Sequence, residues 1–133
     1  MNNELYHYGV KGMKWGVRRT EKRRAKYLDK TSRMAETHKA TARDYQQRAK
    51  KLKNTSDSDY AKMFDDKEYL EMLGGAKKAK ASVINLYNTR ASDYTTYAKQ
   101  YLDAHDAIMN TPINELRSNK DYEQLINKYL NEY

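Results

Sequence analysis

The chain has 133 residues, 38% hydrophobic and 33% charged, with a formal net charge of +8 and no cysteine. Such a length suits a single domain, and so thin an apolar share calls for amphipathic helices and leaves little room for a deep, water-excluding active site. The missing cysteines exclude disulfides, thiolate metal sites and cysteine nucleophiles, and no apolar run nears the roughly 20 residues that span a bilayer.

Residues 1–19 hold three of the five glycines, Gly9, Gly12 and Gly16, and are read as an irregular arm. Glycine lets a backbone turn sharply, so Tyr6, His7, Tyr8, Lys11, Met13, Lys14 and Trp15 are the candidate partner-binding set. The large side chains among them suit a protein groove. Stacking on exposed bases is the other reading, with Lys11, Lys14, Arg18 and Arg19 on phosphates. The glycine spacing matches neither a dinucleotide loop nor a P-loop. The charge is lopsided: residues 1–53 carry 16 Lys/Arg against 5 Asp/Glu, and residues 54–133 carry 10 against 13. Arg18, Arg19, Lys22, Arg23, Arg24 and Lys26 therefore form a second candidate set, for nucleic acid or an acidic protein surface.

The string from Tyr6 to Arg19, YHYGVKGMKWGVRR, resembles a short H-x-G-x-K-G-M-K-W-G motif of proteins encoded by tailed phages and prophages of Gram-positive bacteria. The resemblance spans residues 4–19. It implies signature positions at His7, Gly9, Lys11, Gly12, Met13, Lys14, Trp15 and Gly16, in a docking or packaging tag for the virion. It implies a phage capsid or portal protein, or DNA, as partner. An anti-defence inhibitor that holds a nucleic-acid-targeting nuclease by its basic face is the alternative. Met1-Asn2-Asn3-Glu4-Leu5 lacks the basic start and apolar stretch of a signal peptide, so the expected location is the host cytoplasm or the virion.

From Thr20 a helix is predicted to about residue 53, uninterrupted by Gly or Pro. Leu28, Ala35, Ala42 and Ala49 recur on one heptad track and Thr31, His38, Tyr45 and Leu52 on another, drawing a single stripe. After a polar break, a covering helix is predicted over 59–73, stopped by Gly74-Gly75. A second long helix over 76–110 carries Ile84, Ala91, Ala98 and His105 on one track and Tyr87, Tyr94, Tyr101 and Ile108 on the other. Laid antiparallel with positions summing to 136, the two stripes pair Leu28/Ile108, Thr31/His105, Ala35/Tyr101, His38/Ala98, Ala42/Tyr94, Tyr45/Ala91, Ala49/Tyr87 and Leu52/Ile84. Large residues then meet small ones, which fills a seam to interior density. Parallel self-association would stack Tyr on Tyr and packs worse.

A last helical stretch over 112–132 is predicted, with Ser118 as a cap and Tyr122, Leu125, Ile126, Tyr129, Leu130 and Tyr133 on one face. The fold class expected is thus all-α: a long antiparallel hairpin, a short covering helix and a C-terminal amphipathic helix behind a basic arm, with 20–133 as one helical domain. Three histidines are present, but His7 falls in the arm and His38 and His105 on the seam at separated positions, so no metal site or other cofactor is expected. Asp65-Asp66 and Asp103/Asp106 read as solvated helix faces or caps, and no nucleophile, base and orienter can be named together. No catalytic residue is assigned, and the chain is expected to be an interaction protein and not an enzyme.

Overall fold

The structure, a computed structural model, describes the backbone of residues 8–130 and the side chains of residues 18–130. Its elements are α1 (Tyr8–Lys53), α2 (Asp57–Ala61), α3 (Lys67–Met72), α4 (Ala76–Asn110), a 3-10 turn (Ile113–Glu115) and α5 (Asn119–Leu130). The fold is all-α, and α1 and α4 pack against each other as a helical hairpin. The helix predicted to start at Thr20 in fact begins at Tyr8, so residues 8–19 are helical in place of an irregular arm. Gly9, Gly12 and Gly16 are spaced three and four apart, a helical period, and no proline intervenes. Each glycine costs about 1 kcal/mol against alanine, but lengthening an existing helix adds a hydrogen bond per residue with no new nucleation cost.

Two compact units divide the chain, Met1–Glu36 with Tyr97–Tyr133, and Thr37–Thr96. In the first, Tyr27, Ala104, Ile108, Leu116, Tyr122 and Ile126 form a buried core, with Leu28, Tyr101, Leu125, Tyr129 and Leu130 packed on it. The rings of Tyr27 and Tyr122 stack 4.8 Å apart and nearly parallel. The contact of Thr31 with His105 that the antiparallel register requires is present, with Thr31 Oγ1 3.0 Å from His105 Nδ1. The Thr31 hydroxyl donates to the Tyr27 carbonyl at 2.9 Å. His105 Nδ1 also lies 3.1 Å from the Leu28 carbonyl, which can only accept, so that nitrogen carries the proton.

The second unit contains the tyrosine-rich part of the seam. Tyr94, placed opposite Ala42 by the register, has its ring 5.6 Å from that of His38 and 6.0 Å from that of Tyr45. These are the residues one turn to either side of Ala42, the arrangement of a knob seated in a hole. Tyr45 also meets Tyr87 at 5.8 Å, while Ala42, Ala49 and Ala91 are buried. Burial holds the His38 imidazole below its ordinary pKa.

The single covering helix predicted over 59–73 is two short helices. Ser56 caps α2 by accepting from the Asp59 amide at 3.0 Å, and Asp66 caps α3 by accepting from the Tyr69 amide at 3.1 Å. The second cap falls inside the expected helix and restarts it as α3. Tyr60 and Leu70 turn inward onto Ala79, with Leu52, Ala61, Phe64 and Ala76 around them. At the end of α3 the Gly75 amide donates to the Leu70 carbonyl and the Gly74 amide to the Glu71 carbonyl, a Schellman closure. Gly74 sits at φ 95°, a left-handed backbone conformation that side chains with a Cβ adopt only under strain, so glycine suits the position.

The stretch predicted as one helix over 112–132 is likewise divided. Pro112 opens the 3-10 turn, and α5 begins only after Ser118. The Ser118 hydroxyl accepts from the Asp121 amide at 3.2 Å while the Asp121 carboxylate accepts from the Ser118 amide at 3.1 Å, a reciprocal capping box. The Arg117 amide donates to the same carboxylate at 2.9 Å. These amide hydrogen bonds hold the Asp121 carboxyl below its ordinary range.

Candidate functional site

The basic run from Arg18 to Lys26 lies along one stretch of α1, and a helix presents successive residues at 100° intervals, so its cations cannot all serve one surface. Arg24 faces the seam, at i−4 from Leu28. Its guanidinium donates to the carbonyls of Ile108 (2.7 Å), Met109 (3.0 Å) and Thr111 (3.0 Å). Those carbonyls belong to the last turn of α4 and the residue after it, where the helical i+4 amides run out, the Ile108 carbonyl accepting, of the amides, only that of Thr111 at 3.3 Å, and where the helix dipole is negative. Arg24 therefore acts as a C-terminal cap on α4 supplied from another helix, and it is spent on the fold rather than offered to a partner. Arg23 donates to the Arg117 carbonyl at 2.6 Å, next to the capping box that opens α5. Lys26 Nζ lies 5.3 Å from the centroid of the Tyr27 ring, a cation–π distance.

Arg18, Arg19 and Lys22, upstream of these anchors, are exposed, as is Lys26. The candidate basic surface is thus narrower than the sequence suggests. Tyr6 and His7 lie outside the described residues, as do the side chains of Tyr8, Lys11, Met13, Lys14 and Trp15. The backbone places the last five on the first two turns and a half of α1.

The sequence reading passed over two groups. Tyr27 is buried because α5 packs on it, with its hydroxyl 3.3 Å from the Glu123 carboxylate. Burial first, then Glu123, push the Tyr27 phenol up. The spacing of Arg24, Tyr27, Thr31 and Ala35 at steps of three and four was the available signal. Lys80 is the other: its ammonium lies 2.7 Å from both the Asp57 carboxylate and the Thr55 carbonyl, pinning the start of α2 to α4.

Among the described residues no three His, Asp or Glu side chains converge as a metal site would require. His105 Nδ1 is committed to the Leu28 carbonyl and Thr31, and the His38 ring packs against that of Tyr94. No described helix is long and apolar enough to cross a membrane.

The model of one family, a family of unknown function (DUF7211), matches residues 1–22. No curated protein and no solved structure matches the chain. The matched segment is the one that carries the glycine-spaced aromatics and the exposed Arg18, Arg19 and Lys22, and it stops at Lys22, immediately before Arg23 and Arg24 tie α1 to the ends of α4 and α5.

Proposed function

We propose that this chain is a non-enzymatic, phage-encoded interaction protein of the virion, in which the N-terminal segment is the docking element and the helical hairpin is its carrier. One observation carries the reading: the family match covers residues 1–22 and stops directly before Arg23 and Arg24, which hold α1 to the last turn of α4 and to the cap of α5. A segment that matches a family by itself, ahead of a body that matches nothing, has the character of a portable tag. The docking element combines Tyr6, Tyr8, Met13 and Trp15 with Lys11, Lys14, Arg18, Arg19 and Lys22. Aromatic anchors supply most of the energy at protein interfaces, and cations add attraction at long range. A capsid or portal protein is the partner that this mixture suits best. DNA inside the particle is the competing partner, since basic side chains neutralise phosphates with an affinity that falls steeply with salt.

The test is affinity for purified capsid and portal proteins and for duplex DNA, across a salt series, for the parent chain and two variants. On a protein partner, Trp15→Ala is expected to lose about 2 kcal/mol or more of binding, as a buried aromatic anchor does. On DNA, replacing Arg18, Arg19 and Lys22 by Gln is expected to flatten the salt dependence by about one counterion per lost phosphate contact. Capsid and DNA affinities untouched by either variant would refute the docking role.

A further inference from the structure

The second unit contains an open cleft of about 400 Å³ between α1, α2 and α4, lined by Arg48, Lys51, Leu52, Thr55, Tyr60, Met63, Val83 and Tyr87. Its floor and walls are apolar: Leu52, Val83, Met63 and the rings of Tyr60 and Tyr87. Its polar groups are one-sided. Thr55 is already used, since its carbonyl accepts from Lys80 at 2.7 Å and its hydroxyl donates to the Lys51 carbonyl at 2.9 Å. What remains is the Arg48 guanidinium, the Lys51 ammonium and two phenol hydroxyls. Arg48 engages Asp44 through Nε at 3.0 Å, an exposed pair that holds the guanidinium in place over the Tyr45 ring at 5.6 Å. The Lys51 ammonium has no ion pair or hydrogen bond among the described residues. Burial first, and Tyr87 second, push the Tyr60 phenol up, so it stays protonated as a donor.

A cleft with an apolar floor, two cations, phenol donors and no carboxylate or carboxamide in its lining complements a ligand with a hydrocarbon or aryl body and an anionic acceptor. A nucleobase fits poorly, because its amino and ring N–H groups would find no carboxylate or amide to accept them. A free small molecule is disfavoured too: Arg48, Lys51 and Met63 on the rim are exposed, whereas small-molecule sites enclose most of their ligand. A side chain on a longer segment suffers less, because the segment continues across the rim.

We infer that this cleft docks an acidic peptide segment of a partner protein, with one bulky apolar side chain of the segment between Leu52, Met63 and Val83 and a neighbouring carboxylate on Arg48 and Lys51. This site is independent of the N-terminal docking element, and its test separates the two. The full chain is titrated into a fluorescently labelled Glu-Glu-Phe-Glu-Glu peptide with blocked ends, and anisotropy is read at low salt. Saturable binding is expected, weakened about tenfold or more when Phe in the peptide is replaced by Ala, as for an anchor residue. The charge reversals Arg48→Glu and Lys51→Glu together, and separately Val83→Trp to fill the cleft, are each expected to weaken it by a similar factor. Lys51→Gln, a mild exposed change, is expected to give a smaller loss in the same direction, and circular dichroism melting checks that each variant is folded. The reversals Arg19→Glu and Lys22→Glu are expected to leave the affinity within about twofold at moderate salt. The inference is overturned by no saturation up to roughly 1 mM peptide, by equal binding of the Ala peptide, or by an equal loss in the Arg19/Lys22 variant, which would mean general charge attraction. It is equally overturned if labelled single-stranded DNA, and not the peptide, loses affinity in the Arg48/Lys51 variant.

Discussion

The two units of this chain use the same pair of long helices and close them differently. In Met1–Glu36 with Tyr97–Tyr133, α5 lies along α1 and α4, so Tyr27, Ile108 and Tyr122 are sealed at 2% exposure or less. In Thr37–Thr96 the cover is two short capped helices, and its core of Tyr60, Leu70 and Ala79 stays at 5–8% exposure. Met63, Tyr69, Met72 and Leu73 are left facing water there. The 12-residue α5 buries a continuous stripe, whereas α2 and α3, of 5 and 6 residues, present too few side chains to do so. The open cleft belongs to the loosely covered unit. Stability is therefore expected to be concentrated in one unit and adaptable surface in the other.

The sharpest way to break that comparison is to cut matched cavities. Ile108→Ala is expected to cost about 3–5 kcal/mol, because a fully enclosed site cannot collapse around the loss, while Leu70→Ala is expected near the 2 kcal/mol end of the same range. Equal urea midpoints for the two variants would show that the cover helices seal as well as α5 does. Arg24→Gln comes next, removing a charged donor from three α4 carbonyls at a cost of about 1.5–3 kcal/mol. Arg23→Gln, with one hydrogen bond, should cost less in the same urea series. Within the tyrosine-rich unit, Ala42→Leu or Ala91→Leu is expected to cost about 1–3 kcal/mol by overpacking against Tyr94 and Tyr45. Unchanged melting of both would move those alanines out of the seam.

Acid should act on both units, in separate windows. His38 is held below its ordinary 6.5 by burial, so the unfolded chain takes up its proton first. Its contribution is fully present above about pH 6.5 and is lost as the pH falls below that value. His38→Gln should remove this step from a plot of stability against pH. Asp121 is depressed from 3.8 by its amide donors, so its contribution is present above that value and is lost as the pH falls through the lower folded value. Asp121→Asn should remove that later loss. The smallest effect expected is at Tyr122, whose buried hydroxyl has no hydrogen-bond partner among the described residues. Tyr122→Phe is expected to be neutral or stabilising by up to about 1 kcal/mol, since deleting an unsatisfied buried group removes its desolvation cost. A clear loss of stability by calorimetry would reveal a partner for that hydroxyl.

Much of the hairpin was legible because a packed seam writes itself as a heptad stripe. Ala42, Ala49 and Ala91 against Tyr94, Tyr87 and Tyr45 are complementary in size in one register, and size complementarity follows from side-chain volume alone. The glycines at 9, 12 and 16 misled the reading of the first residues, because propensity weighs each glycine singly while a helix already propagating tolerates them. Asp65-Asp66 carries the residue type of a cap, but the restart that Asp66 imposes depends on where Leu70 must go to reach Ala79.

What the sequence determined by itself was local and periodic: two long amphipathic stripes, the stop at Gly74-Gly75, the Ser118 cap and the concentration of positive charge before residue 54. Each depends on spacing or side-chain type within a few turns, which is all that local physics needs. The tertiary structure alone decided which cations are spent. Arg24 and Arg19 carry the same side chain in the same basic run, yet one is held by the carbonyls at the end of α4 and the other faces water. That difference arises because α4 packs on α1 and ends at Asn110, which brings its last-turn carbonyls beside Arg24, more than 80 residues away in sequence. The cleft has the same origin, since Arg48 and Lys51 of α1 meet Tyr60, Val83 and Tyr87 only when the hairpin closes.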